Sequence, residues 1–269
     1  MALGSMISVQ LGAPLARSTM DSYGPFVTNW GRLAWAAVFL GLIVRPDIRS
    51  YHRNEILVAL ALGAVTAMMT ALFFAAIARV PLGLVVAIEF LGPLSVAALG
   101  FAGGWRLIWL APAVVGVLLL ARDRQGWSVD LIGFGYALAA GAGWGIYIGL
   151  TKRIGKAFKG LDGLAISVAA AALISTPFAL FETGFALPGG LVAQTAGFAI
   201  LAPLLPYILE MMALRRLPSA TFGILMSAEP GIAALVGYII LHEPLSTRQI
   251  AGIALVIGAS AGAVISTRA

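Results

Sequence analysis

Four charged side chains interrupt long apolar runs of this sequence: Arg32, Glu89, Glu210 and Glu229. A charge within an apolar run has to be matched by a partner, a ligand or a proton, and is a functional candidate by default. Arg32 and Glu89 each lie about eight residues into their runs, roughly 12 Å along a helix. Both runs start from the same side, so the two are expected to pair, either in binding and gating or as an ion pair that only fixes packing. Glu229 lies about eleven residues into its run, near the middle of a span of about 20, and directly precedes Pro230, whose missing N–H loosens a helix. Transporters place substrate groups and coupling ions in such broken segments. Glu229 is therefore expected to bind a substrate amine or a proton, with a structural hydrogen bond as the other reading. Glu89 precedes Pro93 by one turn and repeats the combination of carboxylate and proline. Glu210, beside Arg215 and Arg216, is expected to reach interfacial water.

Weaker candidates follow from spacing. Pro203, Pro206, Tyr207 and Glu210 are three and four apart, so a helix would put them on one face. That face lines a cavity or is a proline kink with a lipid-facing tyrosine. Asn29 with Arg32, and Trp144 with Tyr147, are each three apart; the polar pair suits a cavity, whereas packing or anchoring is the common role of membrane aromatics. The GAGWG stretch within Gly141–Gly149 follows no strand and is not read as a phosphate loop. Gly141, Gly145 and Gly149, like Gly258 and Gly262, instead form small-residue stripes for close helix contact. His52 and His242 have no second ligand at metal spacing, and the chain has no cysteine, so no metal or cofactor is expected. No nucleophile and base stand at catalytic spacing, so an intramembrane enzyme is not expected.

The elements that hold these residues must be membrane helices. Of the 269 residues, 61% are hydrophobic and 10% charged, against about 25% charged in soluble domains. The mean hydropathy of +0.99 is too high for one anchor on a polar domain. The sequence predicts an all-α membrane protein of ten transmembrane helices: a short N-terminal run over 1–16, then spans at about 24–44, 55–78, 81–101, 105–121, 129–150, 161–183, 191–213, 218–240 and 246–266. The net charge of +6 resides in short loops, which reads as a topology signal and not as a nucleic-acid surface. One side collects eleven basic residues (Arg45, Arg49, Arg53, Arg106, Lys152, Arg153, Lys156, Lys159, Arg215, Arg216 and Arg268), and the other five (Arg17, Arg79, Arg122, Arg124 and Arg248). Both termini are therefore expected in the cytoplasm.

Sliding the chain along itself by 137 residues puts Arg216 on Arg79, Pro218 on Pro81, Pro230 on Pro93, Ala234 on Ala97 and Gly237 on Gly100. The expected organisation is two five-helix repeats, 1–125 and 126–269. An odd number of spans makes the second enter from the opposite face, the inverted-repeat plan of alternating-access transporters. The same offset leaves helix 1 without its beginning, so the first helix is expected to be short or the start codon to have been assigned late.

The segment PLGLVVAIEFLGPLSVAALG from Pro81, with LPYILEMMALRRLPSATFGILMSAEP from Leu205, resembles the threonine/homoserine exporter group of the EamA-type drug/metabolite transporters. That resemblance implies a ten-helix inner-membrane exporter of amino acids and related metabolites, driven by an ion or substrate gradient. Thr70-Ala71 stands in the third span where the resemblance leads one to expect a larger polar or aromatic pair, and Thr70 joins the cavity-lining candidates. A zwitterionic amino acid needs both a cation and an anion as partners, which Arg32 with Glu89 and Glu229 supply. Glutamates with aromatics also suit cations, so broad drug or organic-cation efflux is the alternative. The expected partners are a small amino acid, the lipid bilayer and protons as coupling ion; oligomeric state is left open.

Overall fold

The computed structural model describes residues 2–99, 108–123, 126–127, 130–187, 189–206, 209 and 226–265. Helix α1 (Ala2–Tyr23) is joined through Gly24 to α2 (Pro25–Val44). A Pro at the first helical position loses no hydrogen bond, and Gly24 supplies the φ of +103° that the junction needs. Its missing Cβ also leaves room for the carboxylate of Glu182, which accepts the Val27 N–H at 2.7 Å and caps α2. After a short 3₁₀ turn at Ile48–Ser50 comes α3 (Arg53–Ile77), where Glu55 reaches back to the His52 N–H at 2.7 Å.

Helices α4 (Leu82–Glu89), α5 (Leu91–Leu99) and α6 (Leu110–Leu120) follow, then an antiparallel pairing of Arg122 with Trp127 and Asp123 with Gly126. Helix α7 (Leu131–Ala157) begins at Asp130, whose carboxylate accepts the N–H groups of Ile132 and Gly133 at 2.8 and 3.1 Å. Helices α8 (Asp162–Glu182) and α9 (Gly189–Ala199) come next, α9 running into a π-helical segment at Ile200–Leu204. The last described helices are α10 (Glu229–Ile240) and α11 (Thr247–Ile265).

Four of the described helices, α2, α3, α7 and α8, are long and apolar enough to cross a membrane unaided. The expectation of unbroken spans is corrected in two places. The run at 81–101 is broken at Phe90, because Pro93 has no N–H for the carbonyl of Glu89. The run at 191–213 departs from helical dihedrals at Ala202 (φ −155°, ψ 114°), just before Pro203. Of the run at 105–121, the described residues hold 11 in α-helix, Leu110–Leu120. Helix α1 differs in the other direction: it spans 22 residues, well beyond the apolar run that ends at Ala16. Its polar end is held by tertiary bonds, Arg17 Nη1 donating to the Ile77 carbonyl at 2.8 Å and the Thr19 hydroxyl to Gln194 Oε1 at 2.9 Å.

Helix α3 packs on α7 and α8, α2 on α8 and α9, α6 on α11, and α4 on α10. The main core gathers Phe74 and Ile77 of α3, the buried face of α4, Val117 and Leu120 of α6, and Ala233 and Ala234 of α10. Small residues set the closest approaches. A Cβ on Gly92 would overlap the backbone carbonyl of Gly141, and one on Gly141 would stand 2.8 Å from the Glu89 carbonyl oxygen. Of the expected stripe, Gly141 and Gly145 meet α4 and α5, whereas Gly149 has no neighbour within 4 Å; Gly262 receives the Trp109 ring and Gly258 is open. Gly92→Ala should therefore lower stability by about 1–3 kcal/mol through overpacking. Gly149→Ala should be neutral or stabilising by up to about 0.8 kcal/mol from helix propensity. Thermal unfolding of both variants in detergent checks the contrast, and equal melting temperatures would refute the contact.

Candidate functional site

The helix breaks position the buried charges. Glu89 is the last residue of α4 and Glu229 the first of α10, each beside a proline that interrupts its span. Both are buried, as is Arg32 in α2, with 8%, 5% and 8% of their surfaces exposed in turn. A helix end directs its unsatisfied backbone groups at whatever lies beyond it, N–H groups from a start and carbonyls from an end. Glu229 thus lies where an anion is favoured, and Glu89 where carbonyl dipoles favour a cation.

Arg32 is held from three directions. Its Nε donates to Asn29 Oδ1 at 3.1 Å, one turn back on the same helix. Its guanidinium carbon lies 4.4 Å from the centre of the Phe74 ring, a cation–π arrangement. Across the bundle its charge acts on Glu89, so the structure brings these two expected partners into electrostatic reach. The Glu89 backbone rests on Gly141, and the neighbouring Phe90 ring meets Trp144 edge to face at 5.5 Å. Trp144 therefore buttresses the break that carries Glu89.

Glu229 is bound from α1. Gln10 Nε2 donates to Glu229 Oε1 at 3.1 Å, joining residues 219 apart in the chain. Ser8 on the same helix donates to the Leu201 carbonyl at 2.6 Å, at the π segment. At this site two amide atoms are buried without a hydrogen-bond partner among the described residues: Asn29 Nδ2, a donor, and Gln10 Oε1, an acceptor. Orphaned buried groups cost stability unless a ligand or water meets them. Their chemistry is complementary to an amino acid, the amide N–H beside a guanidinium suiting a carboxylate and the amide oxygen beside a glutamate suiting an ammonium.

The other expected residues divide. Thr70 is buried, but its hydroxyl is spent on the Thr66 carbonyl at 2.7 Å. Tyr147 packs against the cluster of Ala59, Leu62, Ile154, Phe158 and Ile166. Tyr207 and Glu210 lie outside the described residues. Gln10 and Phe74 are site residues that the sequence reading passed over. Gln10 carried a signal: it is a polar residue in an apolar run, four positions before Pro14, the spacing that links Glu89 to Pro93. Among the described residues no three His, Cys, Asp or Glu side chains are grouped to hold a metal ion.

A sequence profile of the EamA-like transporter family matches residues 131–265. The threonine/homoserine exporter RhtA of Escherichia coli (strain K12) is 40% identical over 269 residues, covering 99% of this chain and 90% of that protein. The threonine/homoserine exporter RhtA of Salmonella typhimurium (strain LT2) is 39% identical over 267 residues, covering 98% and 90%. A protein crystal structure superimposes with a TM-score of 0.65 over 100% of this chain and 98% of its own, at 17% identity, a likeness of fold alone.

Coupling between Arg32 and Glu89 is measurable without a substrate. Arg32→Gln or Glu89→Gln alone leaves the other charge buried without its counter-charge, a loss of about 3–5 kcal/mol in typical buried pairs. The double variant should lose less than the sum of the singles. Additive losses in a double-mutant cycle of detergent melting would remove the pair.

Proposed function

Since the chain belongs to the EamA-like transporter family, we propose that it exports small zwitterionic amino acids, threonine and homoserine foremost, by alternating access across the inner membrane. The observation that carries this reading is the buried Arg32 guanidinium, flanked by an unused amide donor and within the field of the buried Glu89. The similarity to exporters of threonine and homoserine supports the substrate. In this mechanism Arg32 and Asn29 Nδ2 hold the α-carboxylate, and Glu229, steadied by Gln10, receives the ammonium or the proton exchanged for it. Glu89 balances Arg32 when the site is empty.

Ten spans in two inverted repeats, 1–125 and 126–269, account for the packing. With α4 and α5 taken as one broken span, exchange of the halves maps the α2–α8, α4–α10 and α6–α11 contacts onto themselves, and α3–α7 onto α1–α9. The matched spans cross where Gly83 meets Ala234, a Cβ on the glycine falling 2.9 Å from the alanine Cβ. Rocking of the halves about such a crossing exposes a central site to each side in turn. The charge bias of the loops supports a cytoplasmic location for both termini.

Uptake of labelled threonine into inside-out vesicles tests the function. A hydrogen bond to a charged group is worth about 1.5–3 kcal/mol, so Arg32→Gln should weaken threonine binding about tenfold to a hundredfold. Glu229→Gln should abolish uptake driven by a pH gradient. If the carboxylate serves coupling alone, exchange without a gradient persists; if it holds the amine, binding also disappears. Wild-type uptake by the Gln variant would sink both roles. For orientation, a cysteine placed at Lys156 should be labelled only from the cytoplasmic side, and labelling from outside would refute the topology.

A further inference from the structure

A polar concavity lies at the end of the bundle where α3 meets α4, α7 begins and α10 turns into α11. This cavity of about 270 Å³ is lined by residues of both halves, with Arg79, Asp130, Glu243 and Gln249 as its polar groups and Leu84 and Leu245 among its apolar ones. Its size is near the lower bound of about 300 Å³ for small-ligand clefts. Gly83 and Ala234, the pair at the crossing of α4 and α10, are also part of its wall. Parting of that crossing would open the interior into this concavity. The topology proposed above makes this the outer end.

The charges here alternate in sign. Arg79 Nη1 meets Asp130 Oδ2 at 2.8 Å, with both side chains partly exposed. Both Glu243 oxygens accept the Leu82 N–H, at 3.1 and 3.3 Å, capping α4 from the α10–α11 turn. Arg17, ion-paired with Asp21 at 3.5 Å, adds its charge from α1. We propose that this pocket is a second, exit-side site for the zwitterionic amino acid, Arg79 taking the carboxylate and Asp130 with Glu243 the ammonium. The proposal rests on the export reading for the identity of its ligand.

The chemistry selects that class. The pocket sets the Arg79 guanidinium beside the Asp130 and Glu243 carboxylates, so it offers partners of both signs, which a zwitterion uses together and a simple cation or a simple anion uses only in part. A guanidinium has five N–H donors, so one bond to Asp130 leaves others for a carboxylate. The Arg79 guanidinium holds the Asp130 carboxyl below the usual carboxylate range, and burial pushes that of Glu243 up. Glu243 is thus a carboxylate that gains from a nearby ammonium. The apolar walls fit a short side chain.

The chain's lack of cysteine gives a direct test. Leu245→Cys, or Pro244→Cys as a second reporter at an exposed position of the pocket lining, is alkylated with iodoacetamide in the detergent-solubilised full-length protein. Threonine should slow alkylation by the factor 1 + [L]/Kd, about threefold at twice its dissociation constant. Threonine amide, without the carboxylate charge, and N-acetylthreonine, without the ammonium, should not. Protection should persist with the double variant Arg32→Gln/Glu229→Gln, which weakens the interior site, and vanish with Arg79→Gln and Glu243→Gln. No protection at either reporter, equal protection by the amide, or protection lost with the interior variant would overturn the proposal. Export in vesicles is read separately: intact protection without transport refutes the export reading, and transport without protection refutes the pocket.

Discussion

In an apolar bundle every backbone group that leaves the helical ladder, and every charge, has to find its match inside the protein, since neither lipid nor neighbouring alkyl groups supply one. Prolines decide where the ladder opens. Pro93 withdraws the donor that the Glu89 carbonyl would have used, and α4 ends there; Pro230 does the same ahead of α10. The remainder of the site is arranged around those two interruptions. Glycine at 141 lets α7 come against the backbone of the first break, and Gln10 of α1 meets the carboxylate at the second.

The two breaks are not equivalent. Glu229 opens a helix, where backbone N–H groups favour negative charge, while Glu89 closes one, where carbonyls favour positive charge. Arg32 lies within the field of Glu89 and is steadied by Asn29 and Phe74. A bundle built this way holds a cation and two carboxylates at depth without a large polar surface. It also leaves an amide donor and an amide acceptor buried without a hydrogen-bond partner among the described residues.

The same constraint shapes the helix ends. The starts of α2 and α4 expose N–H groups, and carboxylates remote in sequence answer them: Glu182 for Val27 and Glu243 for Leu82, 155 and 161 residues away. Each of these caps ties one half of the chain to the other. Movement between the halves therefore has to break or carry these bonds, which links helix capping to any change in access.

The sequence by itself determined the membrane class, the positions of most apolar runs, the buried charges and the prolines beside them, and the close-contact role of Gly141 and Gly145. These are properties of composition and of local period, which a helix imposes wherever it forms. The tertiary structure alone decided that Gln10 meets Glu229, that Arg32 lies over Phe74, that Tyr147 packs in an apolar cluster, and that Glu243 caps α4. Those partners depend on how far each helix is rotated and shifted against its neighbours, and that is set by side-chain packing across residues 42 to 219 positions apart. Local period fixes which face a residue occupies on its own helix; it leaves open which helix that face will meet.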